Sequence, residues 1–108
     1  MAWSVDGHNL TMTVGDYGVG LTFNLDVGAT LGVSDSVKFV FKKNVGGTEL
    51  FHKDINGITN NAVELVLDQE DSAKLSIGSY VYSLDWYQSG SFIDCLIDVA
   101  SLKVVKKA

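Results

Sequence analysis

The stretch Leu75–Tyr87 alternates between two kinds of side chain, and this alternation constrains the fold more than any other feature of the sequence. One face of the expected strand carries large apolar or aromatic groups, namely Tyr80, Tyr82, Leu84 and Trp86. The other face carries Ser79, Val81, Ser83 and Asp85. Because successive side chains of a β-strand point to opposite sides of a sheet, the pattern predicts a central strand with one face in a core.

Most of the remaining chain divides into short runs of the same period, separated by Gly, Asn, Asp and Ser. The predicted strands are a short lead-in with Trp3 and Val5, then Asn9–Val14, Gly20–Val27, Ser36–Lys43, Thr48–Ile55, Ala62–Leu67, Phe92–Val99 and Leu102–Lys106. Leu31 is expected to plug the loop before the third full strand, and Val40 is the one apolar residue on that strand's outer face. Thr48–Ile55 places Lys53 on the same face as Phe51, which is typical of an edge strand. Ala100–Ser101 is expected to form a β-bulge.

A single short helical turn is predicted at Asp68–Lys74, because Asp68 can cap its start and acidic residues suit that end. With seven or eight strands, the chain is predicted to be an all-β, immunoglobulin-like antiparallel β-sandwich. Leu75, Gly78 and Tyr80 lie where such sandwiches have a tyrosine corner, in which a tyrosine hydroxyl ties down the preceding loop. The length of 108 residues predicts one domain, residues 1–108.

The charge balance disfavours nucleic acid as a partner. The formal net charge is −5, all eight basic residues are lysines, and arginine is absent. Nucleic-acid proteins usually have a basic face and bidentate arginines. The sequence also shows no signal peptide and no long apolar span, so we expect a protein made in the cytoplasm and not inserted in a membrane.

The residues that most often carry chemistry are sparse, and we expect no enzyme, no cofactor and no metal. Cys95 lies in an apolar run and is expected to be a small buried hydrophobic residue. His8 and His52 have no metal-ligand spacing, and they are expected at the surface. Asp94 and Asp98 are expected to be solvated carboxylates on an outer face.

An acidic cluster and a glycine-rich stretch have simple structural interpretations. The cluster comprises Asp68, Glu70 and Asp71, and it suits a helix start better than a calcium site. Gly15–Gly20 lacks the lysine and the following helix of a phosphate loop, so it is expected to be a β-turn.

Three aromatic residues are candidates for a surface contact: Trp3, Tyr17 and Tyr87. Together they would resemble the sugar-stacking platform of a carbohydrate-binding module. Trp86 is excluded from this set because it is in phase with the inward face. A glycan is therefore the second kind of ligand that we consider.

Several segments carry a resemblance to a known family. They are Thr13–Gly18, Leu21–Leu25, Asp35–Lys43, Asn61–Leu67, Gln69–Leu75 and Gly78–Leu84. In this order they resemble the immunoglobulin-like N-terminal domains of tailed-phage baseplate upper proteins and related small phage or prophage structural proteins. The similarity extends from about Leu10 to Val105, and its most specific part is Gly78–Leu84.

The resemblance implies a virion structural protein of the tail or baseplate type, acting in assembly or attachment through protein–protein contacts. Its expected partners are other virion proteins, with a homo-oligomer in the particle, and its expected location is the virion. A carbohydrate-binding or adhesion module is the alternative. Baseplate upper proteins continue into a longer stalk or receptor-binding region, whereas this sequence stops at Ala108. This difference leaves a small tail, head-decoration or connector role open beside that of an adhesin carrier.

Overall fold

The structure is a computed structural model that describes residues 3–107. These residues form eight strands and one short helix. The elements are β1 (Trp3–Asp6), β2 (Asn9–Thr13), β3 (Leu21–Asn24), β4 (Asp35–Lys42), β5 (Glu49–Asn56), β6 (Ala62–Leu65), α1 (Gln69–Ala73), β7 (Gly78–Gln88) and β8 (Ser91–Val105). The predicted all-β sandwich with one short helical turn is confirmed.

The two layers of the sandwich are unequal in size. The larger sheet has six strands in the order β1-β2-β8-β7-β4-β5, and the smaller sheet pairs β3 with β6. All neighbours are antiparallel except β2 and β8, which run parallel from the pair Leu10 and Leu102 to the pair Thr13 and Val105. These two strands are far apart in sequence, so no hairpin imposes opposite directions on them.

The central position of β7 follows from its alternation. Its inward residues Tyr80, Tyr82 and Leu84 are buried, whereas the residues between them are half-buried or exposed. Trp86, predicted to be inward, is only half-buried and packs at the margin of the core. The core between the sheets is rich in aromatic rings, and these belong to Phe23, Phe39, Phe41, Phe51 and Tyr82.

A tyrosine corner links α1 to β7, as the sequence predicts. The Tyr80 hydroxyl donates to the Ser76 carbonyl and accepts from the Ser76 backbone N–H, both at 3.0 Å. The ring of Tyr80 is buried and lies under the Lys43 ammonium group, 4.5 Å from its centroid. The loop between α1 and β7 is therefore fixed by a side chain of the strand that it introduces.

The edge position of β5 is confirmed. The strand carries a charged residue, Lys53, on the face that also holds Phe51, and such a charge opposes pairing with a further strand. Lys53 Nζ lies 2.7 Å from Asp71 Oδ2 and 3.7 Å from Asp68 Oδ2, both at the start of α1. The hydrogen bond to Asp71 is the main cause that raises the pKa of Lys53. A charged residue that is already paired within its own chain makes β5 a poor edge for further strand pairing.

Strand β8 is one continuous element, whereas the sequence suggests two strands with a bulge between them. The prediction of a bulge at Ala100–Ser101 is wrong, because these residues pair in regular register with Tyr82 and Val81. Register shifts occur instead where β8 passes Leu84, Asp85 and Tyr87. The bulged part of β8 is thus Phe92–Val99, and it bends while the rest of the strand stays regular.

The strand predicted at Gly20–Val27 forms sheet hydrogen bonds over a shorter range, Leu21–Asn24, which is β3. Regular pairing of β3 ends at Asn24, but Leu25 is still buried and Val27 still half-buried. The following loop places Leu31 in the core, as predicted, with 4% of its surface exposed. The alternation of inward and outward side chains therefore continues for three residues beyond the last hydrogen-bonded pair of β3 and β6.

Candidate binding surface

A groove lies on the outer face of the six-stranded sheet, the side turned away from β3 and β6. Its volume is about 290 Å³. We call it the outer groove, and its side chains are Val40 and Lys42 of β4, Val45 of the turn after β4, Val81, Ser83 and Asp85 of β7, and Cys95, Asp98 and Val99 of β8. Each was expected, from its phase or its place in a turn, to point away from the core or to lie at the surface, except Cys95 and Val99.

Two irregular features give this face its concave shape. Tyr82 pairs with Ala100 and Leu84 pairs with Ile97, so Ser83 faces two residues of β8, Asp98 and Val99. Such a bulge bends the strand and turns its edge out of the plane of the sheet. On the β4 side of the groove, the turn after β4 supplies Val45, which is 68% exposed. The groove lies between these two walls.

The lining of the outer groove combines an apolar floor with charges at its margins. Val40, Val81 and Val99 supply the floor, and Val99 is 51% exposed. Asp85 and Asp98 place two carboxylates on the β8 side, and Lys42 places an ammonium group on the β4 side. An apolar floor with a polar rim is the usual composition of a protein contact surface.

Cys95 lies half-buried in the outer groove, where its thiol contacts the Ile97 carbonyl at 3.4 Å. Burial is the main cause that raises its pKa to about 11, and Asp85 adds to the effect through a hydrogen bond and its charge. A cysteine with this pKa is a neutral thiol at pH 7, and a neutral thiol is a poor nucleophile. The prediction of a buried hydrophobic residue is met only in part, because Cys95 is half-buried and lines the outer groove beside Asp85 and Asp98.

Trp3 is wrong as a candidate for a surface contact. Only 5% of its surface is exposed, and its indole Nε1 donates to the Val19 carbonyl at 2.9 Å. The cause is the β1–β2 hairpin, which pairs Trp3 with Met12 and thereby places both on the core side of the sheet. Sequence alone could not reveal this, because the run before Asp6 is too short to show its own phase.

Tyr17 and Tyr87 lie at opposite ends of the sandwich. The Val14 N–H donates to the Val105 carbonyl at 2.9 Å, which places the Tyr17 turn near the start of β7. Tyr87 pairs with Phe92 at the other end of β7, with the rings edge to face at 5.7 Å. The three aromatic candidates therefore do not assemble into one platform.

Tyr87 itself is part of a small aromatic cluster on the same outer face as the groove. Lys38 lies over its ring, 5.5 Å from the centroid, and Phe92 beside it is 57% exposed. Tyr87 and Asp85 are outward neighbours on β7, so this cluster continues the outer groove toward the hairpin that joins β7 to β8. The combined surface runs along much of the outer face.

The other predicted site residues have structural partners. Asp68 accepts from the Asp71 N–H at 2.8 Å, and Asp71 accepts from the Asp68 N–H at 3.1 Å, so the acidic cluster forms the capping box of α1. The bond from the Asp71 N–H is the main cause that lowers the pKa of Asp68. Within residues 3–107, no group of histidine, cysteine and carboxylate side chains is arranged to hold a metal ion.

The histidines and the carboxylates of β8 are at the surface, as predicted. His8 is exposed in the β1–β2 turn, and exposed His52 contacts Glu49 at 2.7 Å on the edge strand β5. Asp94 accepts from the backbone N–H that follows it, at 2.8 Å. Asp98 also lines the outer groove because of the bulge in β8, which the sequence did not predict.

The fold and this surface together define an all-β sandwich domain with a partly apolar groove on its larger sheet. Neither the family models, nor the curated proteins, nor the solved structures with which the chain was compared gave a significant match. Among residues 3–107, no helix is long and apolar enough to span a membrane.

Proposed function

We propose that this chain is a structural protein of a phage or prophage virion, of the tail or baseplate type, that acts through protein–protein contacts. The family resemblance of the sequence supports the virion setting. The observation that supports a contact role most strongly is the outer groove, where the exposed Val45 and Val99 lie beside the half-buried Val40 and Val81. Clustered apolar side chains on an outer face are typical of surfaces that a partner covers.

The shape of the outer groove fits a protruding side chain of a protein partner. Val40, Val81 and Val99 offer apolar contact to the stem of such a side chain, and Asp85 and Asp98 lie where its end would emerge. Lysine and arginine have this form, with an apolar stem and a cationic head. The groove would therefore accept a basic side chain from the β8 side of the sheet.

The charges on the outer face would fix the orientation of the partner. Lys38 of β4 is directly opposite Asp85 of β7, and Lys42 is opposite Val81, so the basic groups line the β4 side. The carboxylates Asp85 and Asp98 line the β8 side. A partner with the reverse arrangement is favoured in one orientation and repelled in the other, which gives specificity more than affinity.

The virion setting is tested by mass spectrometry of purified particles from a strain that produces this protein, together with immunogold labelling. We expect the chain to be present in intact particles and the label to lie at the tail or baseplate. Absence of the chain from particles, while it is abundant in the lysate, would remove the proposal.

The contact role of the outer groove is tested by the substitution Val99→Asp. Val5→Asp is a matched control, because Val5 is also on a strand, is also 51% exposed, and lies away from the groove. We expect Val99→Asp to reduce incorporation into particles and Val5→Asp to leave it unchanged. A glycan array with wild type and Tyr87→Ala tests the alternative, and a glycan signal that depends on Tyr87 would favour an adhesion module.

A further inference from the structure

Strand β3 has one free edge. Leu21 and Phe23 pair with Leu65 and Val63 of β6, and the Leu25 N–H donates to the Asn61 carbonyl at 2.6 Å. Backbone groups of successive residues in an antiparallel strand point to alternate sides. The N–H and C=O groups of the even-numbered residues of β3 therefore point away from β6, to a side where none of the described strands pairs with them.

A cavity lies next to this free edge, on the inner side of the bulged part of β8. Its volume is about 250 Å³. Most of its lining is apolar and comprises Phe23, Leu25, Val27, Leu84, Leu96 and Ile97, and the polar residues His8, Asn24 and Asp26 complete it. We call it the edge pocket. It is smaller than the roughly 300–1,000 Å³ usual for small-molecule pockets, and its size suits one or two apolar side chains.

The free edge and the edge pocket form one surface with two kinds of contact. Asn24 belongs to both, since its backbone groups face the free side of β3 and it also lines the pocket. A strand that hydrogen-bonds to a sheet edge presents every second side chain to the same face. A strand laid along β3 can therefore bond to its backbone and insert side chains into the pocket at the same time.

The charges near this edge favour a basic partner. Asp26 lines the pocket and is exposed, and the first lysine of the chain is Lys38, so the segment that contains β1, β2 and β3 has no lysine or arginine, and His8 is its one histidine. A second copy of this chain would add acidic groups, because its edge strands β1, β5 and β6 carry the exposed Asp6, Glu49 and Glu64. Like charges of this kind oppose pairing of two copies.

We propose that the free edge of β3 and the edge pocket bind an extended segment of another protein by strand addition. The segment carries apolar side chains at the positions that face the pocket and lysine or arginine at positions near Asp26. This site is separate from the outer groove, rests on a different observation, and does not depend on the virion role.

The proposal is tested with a display library of short random linear peptides, selected in parallel on the wild-type domain and two variants. Asn24→Pro removes the backbone N–H at the free edge, and proline is tolerated on an edge strand where that group faces outward. Asn24→Ala is the matched control, because it removes the same side chain but keeps the N–H. Thermal melts establish that both variants are folded.

We expect wild type and Asn24→Ala to enrich peptides that alternate apolar residues with lysine or arginine, and Asn24→Pro to bind them about tenfold more weakly or worse. Asp26→Lys should also weaken them. No enrichment on wild type, or equal binding to both Asn24 variants, would overturn the proposal.

Hydrogen exchange on the wild-type domain gives a second measurement that needs no variant. A selected peptide should slow exchange of the Thr22 and Asn24 amides by about tenfold or more, because strand addition protects those N–H groups. Exchange at Val5, on a different edge, should not change. Unchanged exchange at Asn24 with the peptide bound would also overturn strand addition at this edge.

Discussion

The indole Nε1 of Trp86 donates a hydrogen bond to Asp35 Oδ1 at 2.9 Å, and this bond joins the end of β7 to the start of β4. The second carboxylate oxygen of Asp35 accepts from the Gly32 N–H at 2.8 Å and so fixes the preceding loop. Only 5% of Asp35 is exposed. The bond from Trp86 is the largest cause that lowers the pKa of Asp35 below its ordinary value of 3.8, followed by the bond from Gly32.

This relationship predicts a loss of stability in acid. Because the pKa of Asp35 is lower in the folded state, its contribution to stability is present above the unfolded-state pKa and is lost as pH falls through the folded value. We expect Asp35→Asn to lower the stability near pH 7 and to reduce its dependence on pH below about 4. Urea melts of both proteins between about pH 7 and pH 2.5 measure this.

A second variant isolates the role of the indole donor. Trp86→Phe removes the hydrogen bond, so the pKa of Asp35 should rise toward 3.8, as followed by NMR titration of its side-chain carboxyl carbon. If Asp35→Asn kept the full acid dependence of the wild type, the carboxylate would not have the role described here.

Tyr80→Phe tests the tyrosine corner. The substitution keeps the buried ring but leaves the Ser76 backbone groups without the hydroxyl, so we expect a loss of about 1–2 kcal/mol in the free energy of unfolding. Tyr87→Phe is the control, because the Tyr87 hydroxyl bonds to none of the residues described, and its effect should stay within about 0.5 kcal/mol. Equal effects of the two substitutions in denaturant melts would contradict a stabilising corner.

Leu84→Ala tests the inward face of β7. Leu84 has 0% exposure and packs between the sheets, so its truncation removes buried apolar contacts and leaves a cavity. We expect a loss of about 2–5 kcal/mol. Val99→Ala on the outer face should cost less than about 0.5 kcal/mol, because Val99 is 51% exposed. A neutral Leu84→Ala in urea melts would mean that the assignment of faces is wrong.

The Cys95 thiol should react slowly in the folded protein. With its pKa raised to about 11, only about one thiol in a thousand is ionised at pH 8, against about one in four for an ordinary cysteine. We expect iodoacetamide, followed by mass spectrometry, to alkylate the folded protein about a hundredfold more slowly than the urea-unfolded chain. Asp85→Asn should increase the folded-state rate, and equal rates in the two states would show that the thiol is not shielded.

Ser72→Ala should stabilise the domain. Ser72 is 3% exposed on α1, and its hydroxyl has no hydrogen-bond partner among residues 3–107. A buried hydroxyl without a partner has lost its water contacts, and alanine also has the higher helix propensity. We expect a gain of up to about 1 kcal/mol in denaturant melts. Ser79→Ala, at an exposed strand position, is the control and should change stability little; a clear loss on Ser72→Ala would reveal a partner for the hydroxyl.

Local patterns were sufficient to predict much of the fold. The alternation of Tyr82 and Leu84, the cap at Asp68 and the corner tyrosine Tyr80 each depend on neighbours within a few residues, and the structure confirms all three. The edge position of β5 was visible because Lys53 interrupts an otherwise apolar face. These features follow from period and residue type, which a single sequence contains.

The parts that the sequence did not predict depend on pairing between distant segments. Trp3 is buried because its hairpin register with Met12 turns it inward, and its own short run carries no signal of that register. The outer groove forms because Asp98 and Val99 both face Ser83, which is a property of the pair of strands and not of either one. Register between strands depends on the whole sheet and not on a local pattern.

The bulged part of β8, Phe92–Val99, is a wall that two cavities share. Its outward side chains line the outer groove, and Leu96 and Ile97 line the edge pocket. A ligand that shifted this wall on one side would alter the space on the other, and the two proposed binding equilibria would then be thermodynamically linked. Such linkage is reciprocal: whatever factor one ligand applies to the affinity for the second, the second applies to the first. Binding on one face of this sheet would in that case be felt on the other through a single strand, β8.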